Sequence, residues 1–209
     1  NHGIHVLNLV EAGGTGTVSL VGYGGLSVNV NASSCHGVNF QGSTAWVKSN
    51  GGNVTINGTG GGAGVGSYSQ GVPMQTNSKI SAGGSGTISV TGTGGVNTAI
   101  GLRGIVMTSG SSIFSAGGAI NLIGNTGTNG SDNSDGVTID GSSVGSNMSG
   151  PITITGTAGG GIGSEAISLS GTNTVGATSH ANTVNIKGNK FSIAGSTSIL
   201  TTGQVIIEP

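Results

Sequence analysis

The stretch Thr-Ile-Ser-Val-Thr-Gly-Thr-Gly-Gly, residues 87–95, recurs along the chain and decides its fold. Two close copies read Thr-Val-Ser-Leu-Val-Gly-Tyr-Gly-Gly at 17–25 and Asn-Val-Thr-Ile-Asn-Gly-Thr-Gly-Gly at 53–61. More divergent copies follow. The copies begin at residues 17, 53, 87, 119, 151 and 183, with steps of 36, 34, 32, 32 and 32 residues. A period of this length is typical of proteins that stack one structural unit many times.

Each copy alternates apolar and small polar residues, as in Ile88-Ser89-Val90-Thr91. This alternation, rich in β-branched residues, predicts a strand with one buried face, and the frequent glycines disfavour a helix. The side chains predicted to face inward are Val18 and Leu20, Val54 and Ile56, Ile88 and Val90, Ile120 and Leu122, Ile152 and Ile154, and Val184 and Ile186.

A second strand-like segment follows each Gly-rich turn. It reads Gly-Ile-His-Val at 3–6 and Gly-Val-Asn-Phe at 37–40, with apolar residues again at alternate positions. The copy at 71–74 contains Pro73 at an outward position. Because proline has no backbone N–H, we expect an interruption of the hydrogen-bond ladder there.

A third, looser segment ends each repeat. Matching the Ala-Gly-Gly sequences that follow it places Val10, Ile80 and Phe114 in equivalent positions. We expect residues 46–48 and 175–177 to play the same part with a shifted register. Three strands and three turns then return the chain to its starting register one repeat later.

The sequence therefore predicts an all-β fold, a right-handed parallel β-helix (β-solenoid) of about six coils, with 32–36 residues and three strands per coil. Residues 1–209 are expected to form a single solenoid domain, in which 182–209 are a degenerate last coil. Because the first residues fit the middle of a repeat, we expect the chain to be a segment of a longer repeat protein.

Composition disfavours several classes of function. Gly accounts for 46 of the 209 residues, only 5% of residues are charged, and the net charge is −1. Five Lys and Arg residues provide no basic patch for nucleic acid, so no nucleic-acid partner is expected. No apolar run is long enough for a transmembrane helix. Cys35 is the sole cysteine, which rules out a disulfide framework within the chain.

One position stands out because it is polar or charged in every repeat. It immediately precedes the second strand and is occupied by His2, His36, Gln70, Arg103, Asp135 and Glu165. In a solenoid these residues would stack along one edge, with Arg103 beside Asp135 and Asp135 beside Glu165. We regard Arg103, Asp135 and Glu165 as candidate ligand-binding residues. The simpler interpretation, which we prefer, is a solvated ladder of turn residues.

Metal and cofactor sites have little support. Asp132 and Asp135, in the sequence Asp-Asn-Ser-Asp-Gly at 132–136, resemble the start of a calcium loop and are candidate metal ligands. The closing Glu of such a loop is missing. His2 and His36 are too few ligands for zinc by themselves. We therefore expect no cofactor, with calcium as the alternative.

The motif Gly-Gly-x-Gly-Thr-Ile-Ser-Val-Thr-Gly-Thr-Gly-Gly at 83–95, followed by Gly-Ile-x-Met and x-Ser-Ala-Gly-Gly, carries a family resemblance. The chain resembles the Gly-rich β-strand-repeat segments of giant bacterial exoproteins, within the broad group of filamentous-haemagglutinin-like adhesins and autotransporter passengers. The resemblance implies a right-handed β-helical stalk that is extracellular or on the bacterial cell surface.

The expected function is that of a structural stalk or an adhesive fibre segment. Its expected partners are neighbouring coils or subunits, end to end, and glycans of a host surface or matrix. We expect no catalytic residue.

Two alternatives stay open. One is a polysaccharide lyase or hydrolase, for which only Asp135, Glu165, Arg103 and Asp132 are placed to converge. The other is an ice-binding protein with regular Thr columns, which Ser19, Asn121, Ile123 and Lys187 interrupt.

Overall fold

The structure is a computed structural model that describes residues 1–26, 34–62, 68–96, 100–127, 132–146 and 150–209. These ranges contain 21 β-strands, numbered in chain order, and no helix. It follows that, within them, no helix has the length and apolar character needed to cross a membrane.

All of the strands belong to three parallel sheets of seven strands each. Sheet A contains β1 (Ile4–Val6), β4 (Val38–Gln41), β7 (Val72–Gln75), β10 (Ile105–Thr108), β13 (Val137–Asp140), β16 (Ile167–Ser170) and β19 (Phe191–Ile193). Sheet B contains β2 (Leu9–Ala12), β5 (Trp46–Ser49), β8 (Lys79–Ala82), β11 (Ser112–Ser115), β14 (Ser143–Ser146), β17 (Thr172–Gly176) and β20 (Ser196–Leu200). Sheet C contains β3 (Val18–Tyr23), β6 (Val54–Thr59), β9 (Ile88–Thr93), β12 (Ile120–Asn125), β15 (Ile152–Thr157), β18 (Val184–Lys187) and β21 (Val205–Glu208).

The chain visits sheets A, B and C in turn, and each strand pairs with the strand three places later. This order makes the protein a parallel β-solenoid with three strands per coil, as predicted. The last coil is shorter than the others: Val184 pairs with Val205, a step of 205 − 184 = 21 residues. Successive coils lie about 4.8 Å apart, so seven of them form a rod on the order of 30 Å long.

The interior consists of stacked aliphatic columns. The inward residues predicted for sheet C are confirmed, since all but Leu20 are buried and Leu20, in the first coil, is partly buried against the same core. Because no coil could bury its apolar face alone, this continuous core depends on stacking.

Sheet B differs from the prediction in its register. Ile113, and not Phe114, pairs with Ile80, while Phe114 faces outward opposite Ser81. Between Ile113 and the Ala-Gly-Gly sequence, this coil has one residue more than the coil before it. The prediction that Phe114 is equivalent to Ile80, which was based on matching the Ala-Gly-Gly sequences, was therefore wrong.

The register predicted for residues 46–48 of sheet B was wrong, and strand β14 was not predicted. Val47 pairs directly with Ile80, so residues 46–48 are in register with the neighbouring coils and not shifted. Strand β14 gave no clear signal in the sequence, because Val144 is its single buried apolar residue.

The expected interruption at Pro73 is confirmed. Strands β4 and β7 pair only at Phe40 with Met74 and at Gln41 with Gln75, so that no pair joins Asn39 to Pro73. The missing N–H of proline accounts for this gap.

A column of glycines marks the corner between sheets C and A. Gly22, Gly58, Gly92, Gly124 and Gly156 pair in register along sheet C. A Cβ atom added to Gly92 would lie 2.2 Å from the carbonyl oxygen of Gly104. The two sheets therefore approach here more closely than any side chain permits.

We predict that Gly92→Ala lowers the free energy of unfolding by at least about 2 kcal/mol, because backbone atoms must move to admit the methyl group. Gly13→Ala is the matched control, since a Cβ atom there would have no neighbour within 4 Å. Chemical denaturation of both variants tests the prediction, and equal midpoints would contradict it.

Candidate functional site

The polar residues predicted to stack along one edge do so. In each coil, the residue that follows the polar residue donates its backbone N–H to the carbonyl oxygen of the polar residue in the next coil. These bonds are Gly3 to His36, Gly37 to Gln70, Gly71 to Arg103, Gly104 to Asp135 and Gly136 to Glu165, with N–O distances of 2.9–3.0 Å. We define the edge column as the polar residues that precede the strands of sheet A: His2, His36, Gln70, Arg103, Asp135, Glu165 and Lys190.

Lys190 is a member that the sequence analysis missed. The N–H of Ala166 donates to its carbonyl oxygen at 2.8 Å, which places Lys190 one coil beyond Glu165. The alternation Phe191-Ser192-Ile193 directly after it matches the second strand of the other repeats and was the available signal.

The side chains of the edge column also bind backbone. His2 Nδ1 accepts the N–H of His36 at 3.3 Å, and His36 Nδ1 accepts the N–H of Gln70 at 3.1 Å. Farther along, Asp135 Oδ1 accepts the N–H of Glu165 at 3.0 Å. The side chains of His2, His36 and Asp135 thus each satisfy a backbone donor one coil away, which explains why a hydrogen-bond acceptor is suited to these three places.

Asp135 has both carboxylate oxygens engaged. Its Oδ2 atom lies 3.3 Å from Arg103 Nε and accepts the hydroxyl of Thr138 at 2.8 Å. Arg103 Nε also donates to the carbonyl oxygen of Asn133 at 3.2 Å. The side chain of Asp135 is 6% exposed, so these contacts compensate a charge that is almost fully withdrawn from water.

Glu165 pairs with a cation of its own. Its Oε1 atom lies 3.5 Å from Lys190 Nζ, and Lys190 Nζ also donates to the carbonyl oxygen of Ser164 at 2.9 Å. The second oxygen, Oε2, is buried without a hydrogen-bond partner. The charges along the edge therefore alternate in sign only at the ends of the row: Arg103 is positive, Asp135 and Glu165 are negative, and Lys190 is positive.

The structure therefore brings Arg103, Asp135 and Glu165 into one row, as predicted. The preferred interpretation of a solvated ladder was wrong for the middle of the row, because His36, Gln70 and Asp135 are buried. The side chains of His36 and Asp135 bind groups of the solenoid itself, so these contacts assign the column a structural part.

Asp132 has a similar role. Its Oδ1 atom accepts the backbone N–H of Ile162, one coil away, at 2.8 Å, and the residue is otherwise exposed. Among the residues that the structure describes, no group of three or more His, Cys, Asp or Glu side chains is arranged to hold a metal ion.

Three histidines cluster at the start of the edge column. The rings of His2 and His36 stack with centroids 4.9 Å apart, and the ring of His5 meets that of His2 edge-on at 5.0 Å. His5 Nε2 lies 3.1 Å from Gln41 Oε1. Burial, and secondarily the charge of His2, lower the pKa of His36 to about 3, and burial also lowers the pKa of His2. The stacked pair is therefore neutral at pH 7.

The outer face of sheet C bears on the ice-binding alternative. One outward column there contains Val21, Asn57, Thr91, Ile123, Thr155 and Lys187 in register. This mixture of apolar, polar and charged side chains provides no regular Thr array in that column.

With this geometry established, the chain was compared with known proteins. No protein-family model, no curated protein and no solved structure matches it.

We predict that stability falls as the pH drops below about 6.5. The unfolded chain binds a proton on His36 near its ordinary pKa of 6.5, whereas the folded chain does so only near 3. Between these values the free energy of unfolding should decrease by about 1.4 kcal/mol per pH unit, and the stabilisation is complete above 6.5.

Replacing His36 by Gln, the residue that the next coil uses at this position, should remove most of that slope. Urea denaturation between pH 7 and 5 measures it, and His5→Gln is the exposed control. An unchanged slope in the His36→Gln variant would contradict the role given to this histidine.

We predict that Asp135→Ala destabilises the protein by about 3 kcal/mol, because Arg103, Thr138 and one backbone N–H lose a common acceptor. Asp132→Ala, an exposed carboxylate with one such bond, should cost less than about 1 kcal/mol. Thermal unfolding with and without millimolar CaCl₂ measures both effects. A large calcium-dependent rise in Tm that Asp135→Ala abolishes would show instead that Asp135 is a metal ligand.

Proposed function

We propose that this chain is a structural segment of an extracellular fibre or stalk, at a bacterial surface or in its matrix, which acts by transmitting mechanical load and by presenting surface residues. The observation that carries the proposal is the ladder of three parallel sheets that runs through all coils without a change of register. Pulling along the rod must break the bonds of three strands together at any coil, which favours a load-bearing element over a flexible linker.

Within residues 1–209, the first and last coils expose side chains of the interior, which further coils of the same or another subunit would cover. Val10 is 38% exposed in the first coil, and Ile193 and Val205 are 54% and 44% exposed in the last coil. Their counterparts in the middle coils, such as Val47, are fully buried. The end strands also present unpaired backbone donors and acceptors, which another solenoid coil is suited to cover.

The side surface supports the same role. It is dominated by Ser, Thr, Asn and Gly, and the chain has a net charge of −1. The candidate catalytic carboxylate Asp135 has both oxygens engaged by its own fold. The proposal therefore assigns no catalytic residue and names further solenoid coils, of the same or another subunit, as the partners.

We predict that the protein associates end to end, giving rods whose lengths are multiples of about 30 Å. Val205→Lys places a charge on the exposed end of the core and should abolish this association. Ile162→Lys is the matched control, because Ile162 is 83% exposed and belongs to no strand. Sedimentation velocity and negative-stain electron microscopy test both variants.

Rods of unchanged length in the Val205→Lys variant would overturn the proposed axial contact. A wild-type protein that stays a monodisperse monomer at high concentration would overturn the proposal as a whole.

A further inference from the structure

The outer face of sheet B carries one group of side chains unlike the rest of the surface. Trp46 lies in register between Leu9 and Lys79, and Lys48 lies in register between Glu11 and Ser81. We call Trp46, Lys48, Lys79, Glu11 and Ser81 the Trp46 cluster. Trp46 is the only tryptophan of the chain, and two of its five Lys and Arg residues flank it.

The indole of Trp46 is held in a fixed orientation. Its Nε1–H donates to Ser81 Oγ at 2.9 Å, one coil away. The ammonium groups of Lys48 and Lys79 lie 5.3 Å and 5.6 Å from the ring centroid, within the range of cation–π attraction. The cluster is therefore preorganised, so ligand binding would lose little side-chain entropy.

Packing of the solenoid does not require an indole at this place. The position is outward, and the equivalent residues of the next coils are Lys79, Ser112 and Ser143. Small or polar residues therefore suffice for the fold. A partly exposed aromatic ring in a fixed orientation, with flanking cations, is instead characteristic of recognition surfaces.

Lys79 differs from the other cations in lacking a carboxylate partner. Lys48, Arg103, Lys187 and Lys190 each lie within 3.5 Å of an Asp or Glu oxygen. No such pair involves Lys79 in the part of the chain that the structure describes. Its exposed ammonium group is thus available to an anion.

Glu11 restrains the second cation of the cluster. Its Oε1 atom accepts hydrogen bonds from Lys48 Nζ at 3.0 Å and from Asn50 Nδ2 at 2.8 Å. These two hydrogen bonds, that from Lys48 first, lower the pKa of Glu11, so the carboxylate is ionised at neutral pH. The cluster consequently has one net positive charge, on the Lys79 side of the indole.

We propose that the Trp46 cluster binds an anionic saccharide. The indole packs against the C–H face of a pyranose ring, Lys79 pairs with its carboxylate or sulfate group, and Ser81 and Asn50 bind ring hydroxyls. A flat sheet face suits an extended polymer, whereas two lysines are too few for the many phosphate contacts of a nucleic acid. The inference rests on the proposed function, because it names the class of ligand for a fibre segment that presents surface residues.

The single tryptophan makes the test specific to this place. Its fluorescence is recorded while the full chain is titrated with tetragalacturonate, with a chondroitin sulfate tetrasaccharide, and with the neutral cellotetraose. We expect saturable changes with one or both anionic probes, weakened by salt, and much weaker binding of the neutral probe. The two anionic probes distinguish a carboxylate from a sulfate ligand.

Two conservative surface variants should act in opposite directions. Lys79→Gln should weaken anionic binding by roughly fivefold, and Glu11→Gln, which releases Lys48, should strengthen it by roughly two- to fivefold. Lys187→Gln and Glu208→Gln make the same charge changes in a distant exposed ion pair and are the matched controls. Circular dichroism verifies that all four variants are folded.

Three outcomes would overturn the inference: no fluorescence change with either anionic probe, equal binding of cellotetraose, or control variants that act as strongly as the cluster variants. Such a failure would be separate from the proposed function. If Val205→Lys still abolishes axial assembly, the fibre proposal stands without this ligand. If wild-type protein is monomeric but binds through Trp46, the fibre proposal fails alone.

Discussion

The hydrogen-bond ladder between successive coils is the constraint on which the rest of the structure depends. A single coil of about 32 residues cannot bury its apolar face or satisfy its backbone, so each coil acquires both from its neighbours. Bonds such as Gly104 N–H to Asp135 O fix the spacing along the rod, and every side-chain column follows from that spacing. Local changes, such as the extra residue beside Phe114, are accommodated because the ladder keeps its register.

The few charged residues of the chain form their ion pairs in one common arrangement. All four pairs in the described residues join neighbouring coils: Glu11 with Lys48, Arg103 with Asp135, Glu165 with Lys190, and Lys187 with Glu208. Exposed pairs of this kind contribute about 0–1 kcal/mol each. Only the pair containing the buried Asp135 is strongly coupled to the fold. Lys79, which has no carboxylate partner among the described residues and lies beside the partly exposed indole of Trp46, is the exception that suggests binding.

In the candidate site, the repeat pattern predicted which residues are neighbours but not the contacts that their side chains make. The alignment of repeats placed Arg103 beside Asp135, because residues at equivalent positions must stack in a solenoid. It did not show that Asp135 would turn both oxygens to Thr138, Arg103 and a backbone N–H. Side-chain direction and burial at a corner depend on atoms of three coils at once, and no periodicity in the sequence records them.

By itself, the sequence determined the β-solenoid, its three strands per coil and its inward columns, because period-2 alternation within a regular repeat has one way to bury its aliphatic residues. It also determined that one edge is polar in every coil. Only the tertiary structure decided which of two adjacent residues, Ile113 or Phe114, faces inward, and that Lys190 completes the edge column. It alone brought Trp46 between two lysines from different coils. These outcomes depend on contacts between residues about thirty positions apart, whose register is set by the ladder and not by local sequence.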